Sequence, residues 1–186
     1  LKQDPRAPFM LALNFQDSHL PYATPDDAPR HFGASRPKFP ILFGRYPEDS
    51  VAVVHTEYLN ALAYVDLQIG RIREALRADG RWDSTLVVIT GDHGQSFFEH
   101  DVAAHANGLW QEQVLVPLVV RVPQRPGSED HRAASLLDVA PTIVDALGLP
   151  PQLAWQGASL LEQTAQGVRP RFFMVQTPLA HAFGMV

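Results

Sequence analysis

The sequence predicts an α/β fold, a sheet with helices on both faces, and three observations carry that prediction. Residues 9–15 (FMLALNF) and 85–90 (TLVVIT) are short continuous apolar runs, the pattern of strands buried on both faces. Elsewhere apolar residues recur at three- and four-residue steps, so strands alternate with helices. The composition, 186 residues with 46% hydrophobic and 19% charged, suffices for one domain with a buried core and does not fit a disordered chain.

Taken in order, residues 9–15 are the first expected strand. Residues 16–47 show no periodicity, and Pro21, Pro25, Pro29, Pro37 and Pro40 prevent regular structure there. A loop of that length in a compact domain is usually functional or mobile. Residues 49–79 read as a helix, with Tyr58, Leu62, Val65, Ile69, Ile72 and Leu76 forming one apolar stripe. Asp49 or Ser50 can cap its start, and Gly80 stands where a C′ glycine belongs. Residues 85–90 are the second strand. Residues 114–122 are the third, with Pro117 marking an edge or a bulge. Residues 135–147 read as a second helix, its apolar face made of Leu136, Val139, Ile143, Val144 and Leu147 and its end set by Gly148. Residues 171–177 are the last expected strand. There is no internal repeat and no low-complexity tract.

Fifteen basic against 20 acidic residues give a net charge of −5, and no basic block appears, so nucleic acid is a poor partner. Every apolar run stops well short of the roughly 20 residues that cross a bilayer, and no signal-peptide pattern begins at Leu1. The absence of cysteine excludes disulfides, thiolate metal sites and a cysteine nucleophile within these residues. Leu1 is not an initiator and a strand signal comes almost at once, so a piece of a longer protein is expected.

Open α/β sheets bind ligands beyond the carboxyl ends of their strands. Two expected strands end in chemically capable residues. One runs into Gln16, Asp17, Ser18 and His19; the other into Gly91, Asp92, His93 and Gly94. Asp92 and His93 offer a carboxylate oxygen and an imidazole nitrogen, a pair that suits zinc or manganese, whereas calcium prefers oxygen alone. The flanking glycines permit a tight turn and close approach to an ion. The bland alternative is a turn in which Asp92 caps the next helix and His93 is incidental. Downstream lie Glu99, His100 and His105, where an imidazole can contact an anion, donate a proton or ligate a metal. Solvated loop residues are the competing reading for these and for His19. His31, His55, His131 and His181 have no supporting context, and Asp138 and Asp145 read as cap and surface positions. There is no Gly-x-Ser-x-Gly elbow and no Walker-type loop. The residues support a metal-assisted site without naming its reaction.

These segments resemble, in order, the sulfatase branch of the alkaline phosphatase superfamily. Gly91, Asp92, His93 and Gly94, then Glu99 and His100, then His105 ahead of residues 110–121 (WQEQVLVPLVVR), are similar to that family's Asp-Asn-Gly or Asp-His-Gly metal motif and the stretch after it. Residues 8–22 are similar to its "PFF…H-PY" strand and loop, residues 138–148 to its "D-PT-LD–G" helix, and residues 156–161 to its "G-SL" segment. The resemblance implies a three-layer sandwich with a mainly parallel mixed sheet flanked by helices, alkaline phosphatase-like and truncated at its N-terminus. Residues 1–186 would then be the C-terminal portion of a sulfatase-like catalytic domain. Asp92 and His93 would be metal ligands for calcium, manganese or zinc, and His19 and His105 catalytic residues that bind the substrate's anionic group. The family's nucleophile and first metal carboxylates lie upstream of the "H-PY" strand and have no counterpart here, so this chain alone is expected to be inactive.

The implied activity is a metal-dependent hydrolase of sulfate esters. A phospho-transferase or phosphodiesterase acting on lipid or glycan head groups is the alternative within the same fold, since both kinds of relative use Asp-His. A non-catalytic member that binds a lipid or a protein is the alternative from another class. The expected partner is a sulfated or phosphorylated small molecule, glycan or lipid head group. Resemblance to membrane-anchored exported members, including phosphoethanolamine-transferase-like ones, points to a periplasmic or outward-facing, membrane-associated location.

Overall fold

A computed structural model describes residues 7–34, 36–42, 46–162, 172–177 and 181–185. The chain divides into two compact units, Leu1–Gly70 and Arg71–Val186.

In the first unit, residues 9–15 take no regular secondary structure, and Met10 is 88% exposed. This corrects the expected strand: an apolar run becomes one only where neighbours supply both a ladder and cover. The proline-rich stretch is irregular, as its composition requires. It is held by helix α1, Val51–Ala78, through polar contacts. Arg30 pairs with Glu57, and the Asn60 side chain accepts from the Phe32 amide and donates to the Gly33 carbonyl, both at 3.1 Å. The buried face of α1 is therefore Val54, Glu57, Asn60 and Ala61, while Leu62 of the expected stripe is exposed. Tyr22, also buried, meets Tyr58 edge to face with ring centroids 5.4 Å apart. The expected caps, Asp49 and Ser50, lie inside a 3-10 turn, Glu48–Ser50, where the Ser50 hydroxyl bonds to Asp49 rather than to the helix.

The second unit takes up the end of α1. Gly80 adopts φ 70°, and the amides of Gly80 and Arg81 bond back to Arg77 and Leu76, the ending expected for a C′ glycine. Strand β1 (Val87–Thr90) pairs antiparallel with β4 (Leu118–Arg121), from Val87↔Arg121 to Thr90↔Leu118. The Arg121 guanidinium locks that register by lying 4.3 Å over the Trp82 ring and donating to the Trp82 and Thr85 carbonyls. The ladder stops where the next pair would use Pro117, which has no amide proton. The third expected strand is shortened accordingly: residues 111–114 form one helical turn, α2 (Gln111–Val114), and Pro117 precedes the strand.

Strands β2 (Ser96–Phe97) and β3 (Ala103–Ala104) form a small hairpin with pairs Ser96↔Ala104 and Phe97↔Ala103. Strands β5 (Phe172–Gln176) and β6 (His181–Met185) form another. Of these four, only β5 is among the expected strands. Among the described residues all three ladders are antiparallel and two-stranded.

Helix α3, Val139–Ala146, comes after a 3-10 turn, Leu136–Asp138, and a capping box between Ser135 and Asp138. It ends at Gly148, φ 64°. Asp138 is buried, accepting from the amides of Ser135 and Ala158, and Thr142 Oγ1 accepts from the Leu160 amide at 2.9 Å. A Cβ on Gly157 would stand 1.9 Å from the Leu137 carbonyl oxygen. The two C-terminal family-like segments are thus knitted together, with Asp138 a cap as expected and Asp145 bonded to the Ser159 hydroxyl. Among the described residues no helix is long and apolar enough to cross a membrane.

Candidate metal and anion site

Strand β1 delivers the chain into Gly91, Asp92, His93 and Gly94 just where its ladder ends. Asp92 is exposed, and its Oδ1 accepts from the His93 amide at 3.0 Å. His93 Nδ1 lies 2.9 Å from the Gly94 carbonyl oxygen. A carbonyl only accepts, so Nδ1 carries the proton and Nε2 presents its lone pair, the orientation a metal-ligating histidine needs. That Nε2 lies 3.8 Å from Asp92 Oδ2. Oxygen and nitrogen donors at one solvent-facing turn suit a divalent cation. Among the described residues no group of three or more ligand side chains converges; Asp92 and His93 bring two donors together at this turn.

The β2–β3 hairpin brings His105 to this turn. One step beyond the Ser96↔Ala104 pair, its register sets Gln95 opposite His105, and His105 Nδ1 meets Gln95 Oε1 at 2.8 Å. The imidazoles of His93 and His105 lie with ring centroids 3.9 Å apart. The loop reaches this geometry through left-handed residues: Phe98, Asp101, Ala104 and Ala106 have φ 71°, 58°, 71° and 61°.

His100 belongs to a separate cluster. It stacks flat on Trp110 at 4.0 Å and bonds through Nδ1 to Glu112 Oε1 at 2.8 Å. Burial pushes the Glu112 carboxyl up, but its own backbone amide, His100 and Ser96 more than offset this and leave it below the usual carboxylate value. Glu99 turns back to its local backbone, accepting from the Phe97 amide.

Gly94 is where α2 docks. Its amide donates to the Gln113 carbonyl at 2.8 Å, and a Cβ there would stand 2.1 Å from the Glu112 carbonyl oxygen. The second glycine of the tetrad is a packing requirement as much as a turn.

His19 lies in the first unit, exposed, with Nδ1 2.8 Å from the Leu20 carbonyl oxygen and its own carbonyl accepting from the Tyr22 amide. His31, His55 and His131 are exposed; the side chain of His181 lies outside the described residues. Sequence reading did not find Gln95, Asn107, Glu112 or Gln113. The adjacency of Gln95 to the tetrad was the only available signal.

The family model described as Sulfatase matches residues 1–149. Over 123 residues the chain is 29% identical to the multifunctional alkaline phosphatase superfamily protein PehA of Trinickia caryophylli, covering 64% of this chain and 24% of that protein. Among solved structures it is similar to the phosphonate monoester hydrolase SpPMH from Silicibacter pomeroyi, with a TM-score of 0.63, 27% identity, and coverage of 72% of this chain and 28% of that one. It is also similar to BT4656 in complex with its substrate D-glucosamine-2-N,6-O-disulfate, with a TM-score of 0.60, 26% identity, and coverage of 73% and 30%. The chain spans about a quarter of the length of the curated relatives it matches. The fold is that of these α/β, alkaline phosphatase-like enzymes.

Proposed function

The chain belongs to the sulfatase family, and from that premise we propose that it carries part of the active site of a metal-dependent hydrolase of sulfate esters. The observation that carries this reading is the juxtaposition of His105 with His93, beside the Asp92 carboxylate, at the carboxyl end of β1. Asp92 Oδ2 and His93 Nε2 would hold a divalent cation, whose charge would offset the negative charge that builds on the ester oxygens during cleavage. His105 keeps its Nδ1 proton on Gln95, which assigns contact with the anionic group to Nε2. A protonated imidazole there adds a charge-assisted hydrogen bond. His19, in the first unit, is proposed from the family resemblance as a residue that binds an anionic group. The substrate class is a sulfated small molecule or glycan, in line with the sulfated sugar bound by one structural neighbour, and an outward-facing location is proposed from the same resemblance.

A second reading has its own support. The similarity to a phosphonate monoester hydrolase favours a phosphoester or phosphonate substrate on the same residues. The deciding experiment measures metal content of the full-length protein together with turnover of p-nitrophenyl sulfate and p-nitrophenyl phenylphosphonate. Bound metal with preference for the sulfate is the expected result. Preference for the phosphonate would establish the second reading, and neither metal nor turnover would overturn both.

A further inference from the structure

Helix α2 carries a buried residue to which the family resemblance assigns no role. Gln113 is 3% exposed, and its Nε2 donates to Ser96 Oγ and to Asn107 Oδ1, each at 2.6 Å. Its neighbours fix the orientation of that amide. The Ser96 hydroxyl donates to Glu112 Oε1 at 3.2 Å, so its oxygen is the acceptor for Gln113. Asn107 directs its NH₂ group to the Ala103 carbonyl at 2.7 Å, which turns its own amide oxygen to Gln113. Among the described residues the Gln113 Oε1 is buried with no hydrogen-bond partner.

The tied residues all adjoin the His93–His105 contact. Ser96 adjoins Gln95, which holds His105; Asn107 lies two residues beyond His105; and the Gln113 carbonyl accepts from Gly94, next to His93. The Gln113 side chain therefore joins β2 to the segment that follows β3, next to the residue that holds His105. We propose that Gln113 is the positioning residue of His105, its side chain tying the segment after β3 at Asn107 to β2 at Ser96, beside Gln95, so that the imidazole stays on His93. This rests on the reading that His105 contacts the substrate anion.

The test is Gln113→Met, which keeps the length and removes the donor, made in the full-length, metal-loaded protein. For whichever p-nitrophenyl ester the wild type turns over, kcat should fall roughly ten- to a hundredfold with KM little changed, while Tm falls because Ser96 Oγ and Asn107 Oδ1 lose their donor. In a His105→Ala background the same substitution should have almost no further effect, because side chains acting as one unit are not additive. Equal losses in both backgrounds, or full activity, overturn the proposal. If Gln113→Met does not fold, Asn107→Leu breaks the same tie from its other end and runs through the same cycle. In the metal-free protein the His105 Nδ1 nitrogen resonance should move in the variant. An unmoved resonance overturns the positioning role, whereas a wild type without turnover counts against the functional reading alone.

Discussion

At the level of single residues, Asp92 and His93 stand out in the sequence as candidate ligands because glycines punctuate them and both side chains can bind metal. Asp92→Ala should abolish metal-dependent turnover and lower bound metal, as elemental analysis of the full-length protein would show; full activity would remove Asp92 from the ligand set. His105→Ala should lower kcat by about a hundredfold or more with metal content intact. Loss of metal from that variant would make His105 a ligand. Gln95 escaped the same reading for a physical reason. A neutral amide has no spacing signature, and its contact with His105 arises from the register of a hairpin only two pairs long. Glu112 of α2 likewise gives no local signal, since its partner His100 lies twelve positions earlier, in the β2–β3 loop.

Among the elements, the helices were read better than the strands. The second helix was expected over 135–147 and is found as a 3-10 turn plus α3, with its cap and its stopping glycine in place. Local chemistry sets such ends, so local sequence reveals them. The apolar stripe of α1 was read in part: Tyr58, Val65, Ile69, Ile72 and Leu76 are half-buried and Leu62 is exposed, while Arg30 and the backbone of residues 32 and 33 make Glu57 and Asn60 inward positions as well. The hairpin β2–β3 was missed because strands of two residues carry no period. The tie between α3 and residues 157–160 belongs to this scale. Thr142→Val removes an oxygen that accepts from Leu160 and donates to Asp138. It should lower unfolding stability by roughly 1–3 kcal/mol, measured by urea denaturation, and leave metal binding unchanged.

For the molecule as a whole, the α/β class was legible from alternation of apolar runs and helical periods, and the family from four segments in one order. The ladders among the described residues are antiparallel and two-stranded. The charge pattern adds a pH dependence. Among the described residues, two carboxyls sit below their ordinary values in the folded state: Glu112, and Asp130, which hydrogen bonds from Arg132 bring from 3.8 to about 2. Each therefore contributes stability above its unfolded pKa and loses it as pH falls through its folded one. For Asp130 that window runs from about 4 down to about 2, and its exposure keeps the effect below about 1 kcal/mol. Glu112→Gln should flatten the decline in Tm on acidification below about pH 4.5. An unchanged slope would show that His100 and Ser96 hold the carboxyl no better than water does.

The left-handed backbone on either side of His105 has a further consequence, a trade-off between endurance and speed. Alanine at φ 61° in position 106 carries a penalty that glycine escapes, about 1 kcal/mol. Ala106→Gly should accordingly raise Tm by a few degrees. It should also widen the range over which His105 wanders and so reduce kcat. Glycine there would trade that narrower backbone for persistence, since alanine leaves residue 106 fewer conformations beside the His105 imidazole.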